Sequence, residues 1–567
     1  MRKMLCLLLG FAALGVQARE RTESEMLAIA QQQLQQTDAA RRAAGQLSAV
    51  NVERVLQADM LSLYNAETGF VVVSRDDAFD AVLGYADQPV DMDSAAPGFL
   101  WWLNAIEQSM VQRKASGQVK KVQAPAVAEK FFFITSQWGQ QDPFNSLCPK
   151  ETSGKISLTG CVATALAQIL NYYEYPVKSQ GVGSYYLITG QDQISGENIL
   201  SDVFTENLNT TYNWSIMLDK YKKFGGATAA QKTAVAELMR DCGFASKMQY
   251  SSQASATLLD DATEGIVRNF GFPSQSIRYG LRDYYSDDEW MNIIYTELMA
   301  RRPILYTGVD YSSGGHAFVF DGLDETGKIH VNWGWNGTSD GFFDFADLAP
   351  TGIQGSTGTD HFNSAQDMMY GITPTEDLSS LWPMTYSEFA SYEGSYTLSS
   401  TSKNIIYART STGRILNIHY MDFYGKIGLC LKNVDTGTDY FYAINYDTSK
   451  GVGFYMGAGL RSTSFTIQSA VPAGTYYAFL ASKANEDSEY RPVRCIGGAV
   501  RYTVQRAADG TMTFSDQETI SGIEPVAKVS TAEQSRYNLR GQRVDGRQKG
   551  INIVRMSDGT TRKVLVR

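Results

Sequence analysis

The pattern of apolar and polar positions changes along the chain and divides it into regions. The first 18 residues join a short basic start, Arg2 and Lys3, to an apolar run from Met4 to Val16. This pattern is typical of a cleaved signal peptide, because the run is shorter than the roughly 20 apolar residues of a membrane-spanning helix. We therefore expect an exported protein with a signal peptide at residues 1–18.

Residues 19–125 combine helical and strand patterns and predict a separate α+β unit. The predicted elements are a polar helix at Glu23–Gln36, strands at Met60–Tyr64 and Gly69–Ser74, and an amphipathic helix at Phe99–Arg113. The segment Lys114–Ala128 is small and polar, which predicts an exposed linker.

Residues 126–375 also mix both periodicities and predict a second α+β domain. Helices are predicted at Thr164–Tyr173 and Ala229–Arg240, and strands at Pro303–Val309, His316–Asp321 and Ile329–Trp333. Short alternating runs such as Arg414–Ile418 recur in residues 376–519 and predict a β-sandwich.

The last region, residues 520–567, begins with a linker and ends in two predicted strands, Gly550–Val554 and Arg562–Val566. It holds no candidate catalytic group, so we expect a small detachable β-unit. The alternative is one more strand pair of the preceding sandwich.

Composition limits the function classes. A chain of 567 residues exceeds the roughly 250–300 residues that one core supports, so two to four domains are expected. The formal charge of −10 argues against a nucleic-acid partner, which usually requires a basic face. Five cysteines follow the predicted signal peptide, and this odd number requires at least one thiol that is free or pairs between chains.

Cys161 has the strongest chemical context of these thiols. Small residues precede it, and a helix-forming run follows until Pro176. A cysteine at a helix N-terminus is favoured as a thiolate, because unpaired backbone N–H groups and the helix dipole stabilise the negative charge. Without a partner base, a buried structural cysteine explains the pattern better.

His316 is the candidate base, because it follows two glycines and opens a predicted strand. A turn at Asp324–Gly327 predicts that the next strand, which carries Asn332 and Trp333, runs antiparallel to it. Asn332 would orient the imidazole and Trp333 would shield that bond. A regular hairpin places His316 opposite about Trp335, so a bulge or a longer loop is needed to bring Asn332 near.

The polar loop Gln137–Asn145 contains glutamines, and a glutamine amide could supply an oxyanion donor, although the loop taken alone gives no such signal. The cysteines and histidines show no paired zinc-type spacing, so no metal site is predicted. The chain also lacks the short motifs of serine hydrolases and of phosphate loops.

Together these motifs resemble the streptopain family of secreted, papain-like cysteine endopeptidases. The resemblance is carried by Thr159–Ile169, Gly314–Val319, Val331–Trp335 and Ser339–Phe343. It covers residues 130–375 closely and residues 19–125 more loosely, as the inhibitory propeptide of the family.

The resemblance implies a papain-like two-subdomain fold in residues 126–375, with Cys161 as nucleophile and His316 as base. It further implies that Gln140 completes the oxyanion hole and that Asn332 and Trp333 support the base. Substrates would be proteins and peptides, the propeptide would be the inhibitor, and no cofactor would be needed.

The end of the chain is similar to sorting tails of proteins exported by Gram-negative bacteria. This implies an outer-membrane secretion machinery as a partner and a secreted or cell-surface location. Two other functions stay open: another Cys–His acyl transferase such as a transglutaminase, and an inactive adhesin or inhibitor on the same scaffold. Asn332 argues against the first, since such enzymes normally use an aspartate there.

Overall fold

The computed structural model describes most of the chain. The described residues are 19–36, 51–117, 123–191, 198–222, 226–310, 314–348, 365–375, 388–392, 394–520, 533–537, 550–556 and 561–566. The predicted signal peptide lies outside them, as do the predicted linker residues 118–122. The chain divides into two compact units, Met1–Glu518 and Thr519–Arg567.

The first region of the larger unit contains both predicted helices and the predicted strands. Its elements are α1 (Glu23–Gln35), β1 (Glu53–Gln57), β2 (Leu61–Ala66), β3 (Gly69–Ser74), β4 (Val82–Ala86) and α2 (Pro97–Ser116). Helix α1 begins at a capping box, in which Thr22 Oγ1 accepts from the Glu25 N–H and Glu25 Oε2 accepts from the Thr22 N–H. Helix α2 continues through Lys114–Ser116, which we had assigned to the linker, and ends at Gly117 with a left-handed φ of 67°.

The second region holds the helices and strands that surround the candidate chemistry. Its elements are β5 (Phe131–Phe132), α3 (Cys161–Tyr173), β6 (Val182–Gln191), β7 (Asn198–Asn207), α4 (Ala229–Ala245), α5 (Leu259–Phe270), β8 (Arg278–Leu281), α6 (Asp287–Met299), β9 (Ile304–Asp310), β10 (Gly314–Leu323), β11 (Ile329–Asn332), β12 (Gly341–Phe343) and β13 (Ala365–Tyr370), with 3-10 turns at Trp214–Ile216 and Arg282–Tyr284. The predicted helix at Ala229–Arg240 extends to Ala245, and α5 and α6 were not predicted.

One antiparallel sheet runs through both regions. Its strand order is β1-β2-β3-β4-β12-β11-β10-β9-β13-β8, and β5 pairs with β10. The two regions join where β4 pairs with β12, with Phe342 opposite Tyr85 and Phe343 opposite Gly84. The first region therefore extends the sheet of the second and is not a separately packed domain.

Helix α3 is buried along almost its whole length. Every residue from Val162 to Leu170 is buried, which explains why this helix is apolar on all sides and rich in alanine. It shares a core with α4 and α5 and with the β10 side chains Ala317 and Val319. The α3 N-terminus, where Cys161 lies, is thereby fixed against β10.

The third region forms the predicted β-sandwich. Its strands are β14 (Phe389–Ser391), β15 (Tyr396–Ser402), β16 (Ile405–Thr410), β17 (Arg414–Asn417), β18 (Gly425–Asn433), β19 (Asp439–Ala443), β20 (Gly457–Gly459), β21 (Thr463–Thr466), β22 (Gly474–Ala484), β23 (Arg491–Pro492), β24 (Arg494–Cys495), β25 (Gly498–Arg506), β26 (Met512–Phe514) and β27 (Glu518–Ile520). A sheet of order β19-β18-β22-β25-β24-β14-β17-β20 and a three-stranded sheet β15-β16-β21 bury one shared apolar core.

The sandwich is attached to the second region by a buried ionic cluster. Arg494 pairs with Glu289 of α6 at 2.9 Å and with Glu388, and its guanidinium lies 4.0 Å from the Tyr285 ring centroid. These ion pairs fix the sandwich against the second region, since separating them would leave an unpaired charge in a largely buried place at a cost in free energy.

The smaller unit contains the three strands β28 (Glu533–Tyr537), β29 (Gly550–Met556) and β30 (Thr561–Val566). They form an antiparallel sheet in chain order, which includes both predicted strands. No helix among the described residues has the length and apolarity required to cross a bilayer.

Candidate active site

A glycine that no other residue can replace sets the position of Cys161. Gly160 caps α3 with a φ of 86°, in the left-handed region that favours glycine. A Cβ on Gly160 would also lie 2.6 Å from the Met248 sulfur. The helix therefore starts at Cys161, as the sequence predicted, and the sulfur lies beside the first unpaired N–H groups.

Burial and backbone donors act in opposite directions on the Cys161 thiol. Burial raises its pKa, while the backbone N–H groups of Ala317, Val162 and Cys161 itself lower it by stabilising the thiolate. The net effect raises the pKa of the Cys161 thiol, so this thiol is protonated near neutral pH. Within the described residues Cys161 is a free thiol, as are the other four cysteines that follow the predicted signal peptide.

His316 lies in β10, next to the residue whose N–H contacts the Cys161 sulfur. It pairs with Gly308 of β9 in an unbroken antiparallel register. Side chains alternate across a strand, so His316 belongs to the face of Phe318, whereas Ala317 faces the α3 core. No hydrogen bond joins Cys161 to His316 among the described residues, and burial lowers the pKa of His316.

Helix α2 covers that face of β10. The Trp101 ring lies over Gly308, where an added Cβ would come within 2.1 Å of it, and the ring centroid is 5.7 Å from that of Phe318. Gly98 lies against Trp333 in the same way, with 2.7 Å between its notional Cβ and the indole. The first region therefore contacts both strands that flank the candidate base.

Trp333 is enclosed by these contacts. Its indole is 3% exposed, its Nε1–H donates to the Ser339 carbonyl at 2.9 Å, and its ring meets Phe318 edge-on at 4.7 Å. Because Phe318 is two residues from His316, Trp333 supports the strand that carries the candidate base.

A bulge lies between Phe320 and Gly322. It leaves Asn332 opposite Val319, three residues from His316 along β10, so it does not bring Asn332 beside the candidate base. Within the described residues, the hydrogen bonds of Asn332 run to Gln168, Ser136 and Gly334 rather than to His316. Asn332 is therefore part of a buried hydrogen-bond network that joins β11 to α3 and to the loop at Ser136.

The Gln140 loop is bound to the segment that precedes Cys161. The Gln140 carbonyl accepts from the Thr159 N–H at 3.2 Å, and the Trp138 carbonyl accepts from the Asn336 N–H at 3.0 Å. The Gln140 side chain is partly exposed, so it is available to a ligand. Among the described residues, no group of three or more His, Cys, Asp or Glu side chains is arranged to hold a metal ion.

Known proteins share these features. The chain matches the model described as Peptidase C10 family over residues 138–343 and the model described as Spi protease inhibitor over residues 18–110. It is 31% identical over 343 residues to streptopain from Streptococcus pyogenes, which covers 58% of this chain and 84% of that protein. The chain belongs to the streptopain family.

Two further relatives of this streptopain-family chain come from Gram-negative genera. The chain is 32% identical over 327 residues to the thiol protease/hemagglutinin PrtT from Porphyromonas gingivalis. This match covers 54% of this chain and 36% of PrtT. A solved fragment of prointerpain A from Prevotella intermedia is similar with a TM-score of 0.50 and 35% identity, over 58% of this chain and 100% of the fragment.

The predicted family, the α+β papain-like fold and the activity are thereby confirmed. The protein is a cysteine peptidase of the streptopain family that is made as a precursor, acts on proteins and carries its own inhibitory propeptide.

Sequence reasoning missed two polar groups that bond to the candidate site residues of this streptopain-family chain, the buried Gln168 and the partly exposed Asp340. Gln168 on α3 bonds to Asn332, and Asp340 accepts from the Trp333 N–H at 2.9 Å. Burial raises the pKa of Asp340 to about 7. Gln168 gave a signal, as a long polar residue in an otherwise apolar helix, whereas Asp340 in a polar turn gave none.

Proposed function

We propose that Cys161 is the nucleophile, His316 the general base, Gln140 the oxyanion donor, and Asn332 and Trp333 the support of the base. The observation that carries this proposal is that Cys161, at the N-terminus of α3, packs against the core that contains Ala317, the residue next to His316. No other cysteine of the described chain combines a helix N-terminus with a neighbouring histidine.

The chemistry follows from these roles. His316 takes the thiol proton, and the Cys161 sulfur attacks the scissile carbonyl carbon. The negative charge that develops on the carbonyl oxygen is stabilised by the Gln140 amide and the Cys161 N–H. His316 then protonates the leaving amine, a thioester forms, and water hydrolyses it with His316 again as base.

Latency has a structural basis in this proposal. With α2 in place, His316 shares the face of Phe318, away from the α3 core. Departure of residues 19–125 removes Trp101 and Gly98 from that face, and the start of β10 can then rearrange so that the imidazole reaches Cys161.

We propose that the maturation cut falls in the linker after Gly117 and before Lys130. Arg113 is an unsuitable site because it is buried and donates to the Asp347 carbonyl and to Asp287, each at 2.9 Å. Residues 123–128 are exposed or partly exposed and lie outside helix and strand, which suits cleavage.

We also propose that the protein is secreted or held at the cell surface of a Gram-negative bacterium. Supporting features are the signal-peptide pattern, the relatives in Porphyromonas and Prevotella, and the separate terminal β-unit. The terminal unit, residues 520–567, would be read by an outer-membrane secretion machinery.

The decisive experiment compares wild type with Cys161→Ala and His316→Ala in casein hydrolysis and in labelling by a thiol-directed peptidase inhibitor. Each variant should lose activity by several orders of magnitude, at roughly the 10⁴-fold or greater scale of a lost nucleophile or base. Cys161→Ala expressed alone should also stay full length. Wild-type-like turnover in folded Cys161→Ala would refute the assignment, and an unlabelled, inactive wild type would favour the adhesin or inhibitor alternative.

A further inference from the structure

Gln168 lies two turns below Cys161 on α3 and is completely buried, at 0% exposure. Its amide forms a reciprocal pair with that of Asn332. Gln168 Nε2 donates to Asn332 Oδ1 at 3.0 Å, and Asn332 Nδ2 donates to Gln168 Oε1 at 3.1 Å. Two amides that face each other in this way fix each other's orientation, because each group supplies the donor that the other needs.

The same Gln168 oxygen also holds the candidate oxyanion loop. Gln168 Oε1 accepts from the Trp138 N–H at 3.1 Å and from Ser136 Oγ at 3.3 Å. Trp138 is two residues before Gln140, whose own carbonyl is bound by the Thr159 N–H, two residues before Cys161. The loop is thus attached to α3 through Trp138 and to the segment that precedes α3 through Gln140.

The Asn332 amide completes the connection to the third element. Its Nδ2 donates to the Ser136 carbonyl at 2.7 Å, and its Oδ1 accepts from the Gly334 N–H at 3.0 Å. One buried side chain, Gln168, therefore links the nucleophile helix, the Gln140 loop and the Asn332–Gly334 turn that supports the base. These contacts join residues 164 positions apart in the chain.

We propose that Gln168 is a positioning residue for catalysis, which holds the Gln140 loop and Asn332 in register with the helix that carries Cys161. This inference rests on the roles of Cys161 and Gln140 proposed above. Gln168 touches no reacting atom and acts through the position of Gln140, on which stabilisation of the oxyanion depends.

The test substitutes Gln168→Glu, which keeps the shape but replaces the donor to Asn332 with an acceptor. Precursors are cut by immobilised wild-type enzyme that is then removed, and kcat and KM are measured on a short peptide. We expect kcat to fall about 10- to 100-fold, the scale of a displaced catalytic group, while KM changes by less than about threefold. Gln168→Met, uncharged and of similar length, carries the same comparison if the glutamate variant does not fold.

A double-mutant cycle separates positioning from general destabilisation. Gln140→Ala should cost much less in the Gln168→Glu background than in wild type, because the amide it removes is already misplaced. The matched control is Asn269→Asp, in which an equally buried amide that donates to the Gln180 carbonyl at 2.9 Å is altered far from the cleft. This control should lower the melting temperature and leave kcat unchanged.

Three outcomes decide the proposal. A loss of kcat with non-additive coupling supports it. The proposal is overturned if the Gln168→Glu enzyme loses stability like the control but keeps its kcat. It is also overturned if the effects of the Gln140 and Gln168 substitutions simply add. Normal turnover of Gln140→Ala alone refutes the oxyanion assignment instead, and the kcat of Gln168→Glu then still decides whether Gln168 positions the site through Asn332.

Discussion

At the residue scale, the precursor holds its reactive pair in the uncharged form. Burial raises the pKa of the Cys161 thiol and lowers that of the His316 imidazole. Both shifts oppose formation of a thiolate–imidazolium pair. The sequence predicted roles for both residues, but it could not show which face of β10 carries the imidazole, since that depends on what packs on each side.

The Gln140 amide offers a direct test of transition-state stabilisation. We expect Gln140→Ala to lower kcat by roughly 10²–10³ with little change in KM, because the lost hydrogen bond forms mainly to the developing oxyanion. The neighbouring Gln141 is exposed, and Gln141→Ala is the matched control with normal kcat. Equal activity of the two variants in peptide hydrolysis would remove Gln140 from the mechanism.

Asp340 should make stability depend on pH. Burial raises its pKa from 3.8 to about 7, so the folded protein holds this proton more tightly than the unfolded chain does. The resulting stabilisation is complete below pH 4 and is lost as the pH rises toward 7. Asp340→Asn keeps an acceptor for the Trp333 N–H and carries no charge, so its advantage over wild type should grow from pH 4 to pH 7.

Urea unfolding of the precursor at several pH values measures this difference. The exposed Asp93→Asn is the control and should follow wild type throughout. An Asp340→Asn protein whose stability relative to wild type is the same at pH 4 and pH 7 would show that the fold does not raise the pKa of Asp340.

At the element scale, local signals located the helix that carries Cys161 and the β10–β11 hairpin. Helix α5 escaped prediction because it contains Gly265 and its N-cap Leu258 provides no side-chain cap. Gly265 is there for packing: a Cβ would lie 2.5 Å from the Ala245 carbonyl oxygen of α4. The partner of Asn332 was equally out of reach, since Gln168 is distant in sequence.

At Gly98 of helix α2, substitution by alanine has opposite expected effects on helix propensity and on packing. Gly98→Ala should stabilise an isolated helix by about 1 kcal/mol. In the precursor, however, the added Cβ would press on Trp333 at 2.7 Å and on Phe318 at 3.3 Å. We therefore expect weaker latency, with faster self-processing and higher activity before the cut.

The progress of self-processing, followed by gel and by peptide hydrolysis, measures this effect. Gly459→Ala, a glycine with open space at its Cβ position, is the control and should process at the wild-type rate. A Gly98→Ala precursor that processes more slowly than wild type would mean that helix propensity outweighs the clash.

At the scale of the whole molecule, the regions follow the sequence pattern, but their connections do not. Periodicity predicted α+β units in residues 19–125 and 126–375 and a β-sandwich in residues 376–519. Periodicity gave no sign that β4 of the first region pairs with β12 of the second, because backbone pairing between strands that are distant in sequence leaves no local signature.

The terminal unit supports a prediction about export. Its strands β28, β29 and β30 pair with one another in a sheet of their own. Deleting residues 525–567 should leave casein hydrolysis by purified enzyme near normal and trap the protein in the producing cell. Fractionation of culture and cells measures this, and full export of the truncated protein, or its failure to fold, would exclude the sorting role.

The pairing of β4 with β12 has a consequence for the enzyme after maturation. In the maturation proposed above, residues 19–125 leave and β12 becomes an edge strand whose main-chain donors and acceptors face water. Phe342 then loses its aromatic partner Tyr85, and Phe343 loses Trp102 and Phe99. Such an edge is a template on which another extended chain can add. The precursor is therefore also the form in which the protein is best protected from aggregation, and activation exchanges that protection for catalysis.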